Sequence, residues 1–426
     1  MNQCGAISIM APELFAAETG HLASPRSSAS RLRGSVLCAL ALSTLLGFSS
    51  VTSAVAGSLV AADPVVADPR DDIVPQTDIT VDSVAAVNGA LEYLARTQDP
   101  ATGAWVADVG YKLNQNYEVS ARRKPHVGVT AMAALAFLSA GHLPGRGEYG
   151  DVISRATDYI LSCMLETGHI TRNGSRMYSH AFATLYLAEV YGMTDRYDLN
   201  ERLQRAVDFI VDCQNEYGSW RYEPHAAESD MSITVCQLNA LRAARNVGIR
   251  VPKSTIDRAA QYISASYVDR DSDPYRYQGY YRLGRGSFKY QATRHTRSSF
   301  ALTAAGLAAL HNAGVNGLKI ESDGKAIDLR ESIEFLRDSY GNVSGNSRYG
   351  FHFFYWYGHY YATQALYVIG GDVWDWYYPR LRDEIVASQR SDGSFPCRVG
   401  PGEAFSTAAG AVILSLPYGY LPIFQR

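Results

Sequence analysis

Six units between Val81 and Arg426 repeat one pattern: an amphipathic segment stops at a glycine close to a large apolar side chain, and an alanine- and glycine-rich segment follows. In one copy Leu203, Val207, Ile210 and Cys213 share a helical face, and the segment closes as Gln214, Gly218 and Trp220. The closing phrase recurs at Gln98, Gly103 and Trp105, at Gly168 and Ile170, at Gly350 and Phe351, and at Gln389, Gly393 and Phe395. A fourth unit, from Lys253, closes less regularly around Tyr275 and Tyr277. The small-residue segments suit the crowded inside of a ring, and the polar ones its outside. A spacing of about 55 residues exceeds the roughly 34 to 47 of open helical solenoids. The expected fold is all-α, a single (α/α)6 toroid of six helical hairpins over residues 81–426.

Residues 31–56 read as a basic stretch, an apolar run from Val36 to Phe48 and a small-residue site at Ala54-Val55-Ala56. The run is shorter than the ~20 residues of a bilayer span. Residues 1–56 are therefore expected to be a signal peptide and 57–80 a linker. The mature chain would begin at Gly57, be secreted or periplasmic in the cell envelope, and have no stable membrane insertion after cleavage. Cys163, Cys213, Cys236 and Cys397 remain. Cys163 and Cys213 hold equivalent places on successive outer helices, whose axes lie about 8 to 10 Å apart, long for a disulfide. Buried free thiols are the simpler expectation. A formal charge of −3 gives no basic surface for nucleic acid.

Each small-residue segment opens on a titratable residue followed four positions later by a hydroxyl: His126/Thr130, His180/Thr184, Asp230/Thr234, His295/Ser299, His359/Thr363 and Glu403/Thr407. That spacing puts both on one helical face and predicts a ring of such groups at one mouth of the barrel. Helix capping is the competing explanation, good for Asp230 and Glu403 and poor for four histidines. A Tyr-rich basic stretch ahead of the fourth small-residue segment carries Arg285, Lys289 and Arg297, either as an anion site or as a solvated loop. Phe351 to Tyr361 is nearly all rings, of which three or four, Tyr360 among them, can line a cavity.

The Gln-x3-Gly-x-Trp phrase at 214–220, with its variants at Gln98 and Gln389, resembles the QW motif of squalene and oxidosqualene cyclases. The resemblance covers about Val81 to Arg426 and implies a barrel of inner helices around a cavity. As a single barrel the chain is also similar to the protein prenyltransferase β-subunit. Cyclases protonate their substrate with an Asp-x-Asp-Asp motif. Glu228-Ser229-Asp230-Met231 keeps one of its three aspartates. Prenyltransferases hold zinc through Asp, Cys and His; the segment from His359 resembles the histidine part, while Thr296-Arg297-Ser298-Ser299 has neither Asp nor Cys. Neither a metal nor a cofactor is expected. Gly284-Arg285 with Lys289 resembles their diphosphate-binding segment.

These readings leave four functions open. One is a toroid binding a small molecule, lipid-like or carbohydrate, at the inner-helix mouth, and another is a terpene cyclase-like enzyme with Asp230 as acid. The others are a carbohydrate lyase or hydrolase and a non-catalytic envelope scaffold. Asp230, His359 and Glu403 are the catalytic candidates. His126, His180, His295, Arg285, Lys289, Arg297, Tyr360, Thr234 and Thr363 are the expected cavity residues.

Overall fold

A computed structural model of the chain describes residues 78–269, 283–294, 296–315, 317–322 and 325–425. The proposed leader, the linker up to residue 77, His295, and the Tyr275 and Tyr277 closure lie outside the described residues.

Twelve α-helices form two concentric layers among the described residues. The inner helices are α2 (Val127–Ser139), α4 (Met177–Tyr191), α6 (Met231–Asn246), α8 (Phe300–Asn312), α10 (Phe353–Ile369) and α12 (Glu403–Ser415). Each packs on the next, and α12 packs on α2, so the ring closes. The outer helices α3 (Gly150–Ser162), α5 (Leu199–Asp212), α7 (Lys253–Ala265), α9 (Leu329–Ser339) and α11 (Gly371–Ser388) each lie on the inner helix before them. The first outer helix, α1 (Val81–Thr97), lies on α12. Burial follows composition. Every residue of α2 is buried, whereas α5 buries one stripe containing Leu199, Leu203, Ala206, Val207 and Ile210.

The closing phrase is a fastening device. Gly218 has φ +79°, and a Cβ there would run into the Arg258 carbonyl of the next outer helix. The Gln214 amide donates to the carbonyls of Gly218 and Thr255, both at 3.0 Å. Gln389 does the same to Gly393 at 3.0 Å and to Ala86 at 2.7 Å, which ties the last unit to the first. The Trp220 indole donates to Ile210 O at 2.7 Å.

The backbone of the closing aromatic is satisfied by the following inner helix. Trp220 O accepts from Asp230 N at 3.0 Å, and Trp220 N donates to Thr234 Oγ1 at 3.2 Å. The same amide-to-threonine bond joins Trp105 to Thr130, Phe288 to Thr303 and Phe395 to Thr407. Each of Thr184, Thr234, Thr303 and Thr363 also donates to the carbonyl four residues back. Thr234 and Thr363 are thus fully buried structural hydroxyls rather than cavity groups. Replacing Thr234 by Val, which leaves the buried Trp220 N–H without an acceptor, is expected to cost about 1–3 kcal/mol in urea unfolding. Thr234→Ser should recover most of the loss.

This bond also corrects the fourth unit. Its closing phrase is Gly286-Ser287-Phe288, with Gly286 at φ +77° and Phe288 wholly buried. Ser299 caps α8 by accepting from Leu302 N, so the repeat pair is Ser299/Thr303 and not His295/Ser299.

Two hairpins interrupt the helical plan. Strands β1 (Val106–Leu113) and β2 (Asn116–Pro125) join α1 to α2 through a two-residue turn with Asn114 at φ +57°. Strands β3 (Lys319–Ser322) and β4 (Lys325–Asp328) precede α9. The C-terminal Pro422–Phe424 turn packs on α6 at the other end of the barrel, with Phe424 6.1 Å from the Tyr360 ring. All four cysteines of the described residues are free thiols. No helix among the described residues is long and apolar enough to cross a membrane.

Candidate functional site

The inner helices leave a cavity of about 170 Å³ at their N-terminal mouth. Residues from all six line it, among them Met132, Phe182, Ser232, Leu302, Tyr360 and Ala409. A wider chamber of about 470 Å³ lies outside, and the two share Tyr111, Lys112, Arg176, Tyr222 and Arg297.

The β1–β2 hairpin places Tyr111 and Lys112 at this junction. Asp108 N donates to Pro401 O at 3.0 Å at its base. Near its tip Gln115 O receives the Nε2–H of His352 at 2.8 Å. His352 in turn caps α10, its Nδ1 accepting from Phe354 N. The strands therefore reach across the mouth from α2 to α10.

Asp230 is wholly buried at the N-cap of α6. Its Oδ1 accepts from Ser232 N at 2.8 Å, Ser232 Oγ at 2.5 Å and Ile233 N at 3.3 Å. Its Oδ2 has no hydrogen-bond partner. The Tyr178 hydroxyl, on the cavity wall, donates to Ser232 Oγ at 2.7 Å, so a two-bond chain runs from cavity to carboxyl. Met231 N donates to Tyr290 O, which fixes Tyr290 beside Asp230. Tyr290 and Tyr222 share a 2.7 Å hydroxyl–hydroxyl bond. Burial first, and the Asp230 charge second, push both phenols above their ordinary range.

The other expected site residues are dispersed. His126 lines the cavity, but its Nδ1 caps α2 by accepting from Val129 N, and burial holds its pKa down to about 4. His180 and His359 are completely buried and face the outer layer instead of the cavity. The Nδ1 of His180 accepts from Ile170 N at 3.0 Å, and its Nε2–H donates to Ala206 O at 3.2 Å. The Nδ1 of His359 accepts from the Tyr377 hydroxyl at 2.8 Å, and its Nε2–H donates to Val343 O at 3.2 Å. Burial depresses both to about 3. Glu403 is half-exposed and pairs with Arg390 at 3.2 Å, away from the cavity. Arg285 pairs with Glu331 on the outer layer, and Lys289 donates to Ala292 O at 3.0 Å. Among the described cations of the basic stretch only Arg297 reaches the cavity, and Tyr360 forms part of its wall. No group of three or more His, Cys, Asp or Glu that could hold a metal occurs among the described residues.

No family model matches the chain, and no curated protein matches it in sequence. Solved structures do. Cellobiose 2-epimerase from Bacillus thermoamylovorans superposes at TM-score 0.52 with 14% identity, covering 78% of this chain and 98% of its own. An inactive α-1,6-mannanase variant from Salegentibacter sp., in complex with α-1,6-mannotriose, gives TM-score 0.52, 10% identity and the same coverages. A type II terpene cyclase from Scytonema gives TM-score 0.49 and 12% identity over 80% of this chain and 98% of that one. The fold is an α/α toroid. At these identities the likeness shows the fold alone, and the reaction has to be argued from the site.

The hairpin and Lys112 are the parts of the site that the helical reading missed. The available signal was the alternation Val106, Asp108, Gly110, Lys112 against Ala107, Val109, Tyr111, Leu113, followed by Asn-Gln-Asn.

Proposed function

We propose that the protein takes an apolar small molecule into the barrel through the mouth of its inner helices. The observation that carries this reading is the cavity wall, which is predominantly aromatic and aliphatic below a rim where the charged groups gather. A non-catalytic scaffold would be expected to fill its barrel. A polyhydroxylated sugar calls for polar groups converging along an open groove, whereas Phe182, Leu302 and Phe405 offer it no hydrogen bond and the Trp356 N–H is spent on Pro396 O. Decanol titrated calorimetrically into the protein should bind, and Ala409→Phe, which fills the wall, should weaken it about tenfold or more while the melting curve stays cooperative. Decanol binding that Ala409→Phe leaves unchanged would remove the reading.

A second reading, acid catalysis on that molecule, is favoured by Asp230. A buried carboxyl with one oxygen committed to α6 and the other unpartnered is linked to the cavity wall through Ser232 and Tyr178. Incubation with an acyclic polyene in D2O should then place one deuteron on a product carbon. Asp230→Asn keeps the Oδ1 cap and is expected to lower that incorporation about 10²-fold or more. Equal incorporation by the variant would remove Asp230 from the chemistry.

A further inference from the structure

The rim of the cavity holds two cations that make no ion pair among the described residues. Lys112 lines both the cavity and the outer chamber. Its ammonium lies 4.5 Å from the Tyr290 ring centroid and 5.3 Å from that of Phe354, with no ion pair among the described residues. The Arg297 guanidinium lies 4.7 Å from the same Tyr290 ring and likewise has no carboxylate partner among them. The neighbouring cations are different. Arg176 pairs with Glu223 at 2.9 Å, and Arg221 pairs with Glu228 at 3.2 Å.

A cation withdrawn from water ordinarily has an anion beside it, because desolvation otherwise disfavours the charge. Aromatic faces compensate for only part of that, about 0.5 to 2 kcal/mol. Asp230 is the buried carboxyl of this region; its Oδ1 is occupied by the first turn of α6, and its Oδ2 bonds neither cation. The consequence is visible on the lysine. Desolvation first, and the Arg297 charge second, lower the Lys112 amine to about 8, with Asp230 opposing them.

We propose that the missing anion belongs to the ligand: an amphiphile whose anionic group lies between Lys112 and Arg297 while its apolar body enters the barrel. The inference rests on the reading that the cavity takes an apolar molecule, and it adds the polar end. Placement on the hairpin matters, because the strand that crosses the mouth carries the lysine to where the head of an inserted chain would stop. Carboxylate and phosphate heads share the required chemistry.

Calorimetric titrations with decanol, decanoate and decyl phosphate separate the possibilities. In the unaltered protein both anions should bind about tenfold or more tightly than decanol, as charge-assisted hydrogen bonds imply. The stronger of the two identifies the head group. The double variant Lys112→Met/Arg297→Met should lose that preference while keeping its affinity for decanol, and Lys112→Arg should retain it. Decanol binding as tightly as both anions would overturn the head-group inference and leave the apolar cavity reading intact. So would an anion preference that survives in the double variant. Binding of none of the three would overturn both.

Discussion

Replacing His359 by alanine is expected to destabilise the protein by about 3 kcal/mol or more, although the same residue in a wet cavity would cost little. The imidazole is fully buried, bonded through both nitrogens, and packed 4.5 Å from Tyr355 and 5.2 Å from Phe300 between ring centroids. Alanine would strand the Tyr377 hydroxyl and the Val343 carbonyl, at about 1–3 kcal/mol each, and leave a void as well. His180→Ala should behave alike, because the Ile170 amide and the Ala206 carbonyl lose their partner. Urea unfolding decides the matter. Losses under about 1 kcal/mol would mean that these rings face solvent-filled space and that their hydrogen bonds are not made.

Acid should unfold the protein in a window set by the same rings. His126 is held down to about 4, and His180 and His359 to about 3, against an ordinary value near 6.5 in the unfolded chain. Below about pH 6.5 the unfolded chain binds protons that the folded one refuses. Their stabilising contribution is therefore complete above that pH and lost as pH falls toward 4 and 3. Glu189 works in the opposite direction. Burial raises its carboxyl to about 8, so its contribution is present at low pH and lost as pH rises from about 4.5 through 8. These three histidines, joined by His169, which burial also holds down to about 4, outweigh the one glutamate and leave a net loss of about 2 to 4 kcal/mol per pH unit near pH 5.5. Urea midpoints at pH 7, 6, 5 and 4 measure this slope. A flat profile would contradict the buried, neutral state of these histidines.

The ring was legible because its fastenings are local. Gln214, Gly218 and Trp220 form one phrase, and the same phrase at Gln389 ties to Ala86, so a spacing visible in the chain corresponds to closure in space. The fourth unit was legible only in part. A Tyr- and Arg-rich insertion separates α7 from Phe288, and Ser299 stands where other units carry His, Asp or Glu, so the register had to be read from the Phe288–Thr303 bond. Of the repeated titratable positions, His126 and Asp230 are N-caps, as the capping explanation holds, whereas His180 and His359 lie inside α4 and α10. His126 and His352 cap through Nδ1, a use of imidazole that general capping preferences rank low. A period of 3.6 orients residues within one helix, but the neighbouring layers decide whether a face looks inward or outward. That is why His180 and His359 turn to the outer helices while Tyr360 turns to the cavity. Lys112 was missed because its role depends on a strand crossing the mouth to meet Tyr290, 178 positions further along the chain.

The most direct test of a ligand-binding barrel is a crystal structure of the protein soaked with 10-bromodecan-1-ol, with data collected at the bromine edge. One anomalous peak within the ring, beside Phe182 and Tyr360 and below the β1–β2 hairpin, is the result predicted here. Bromine peaks confined to the outer helices, with none inside a ring that diffracts well, would contradict it.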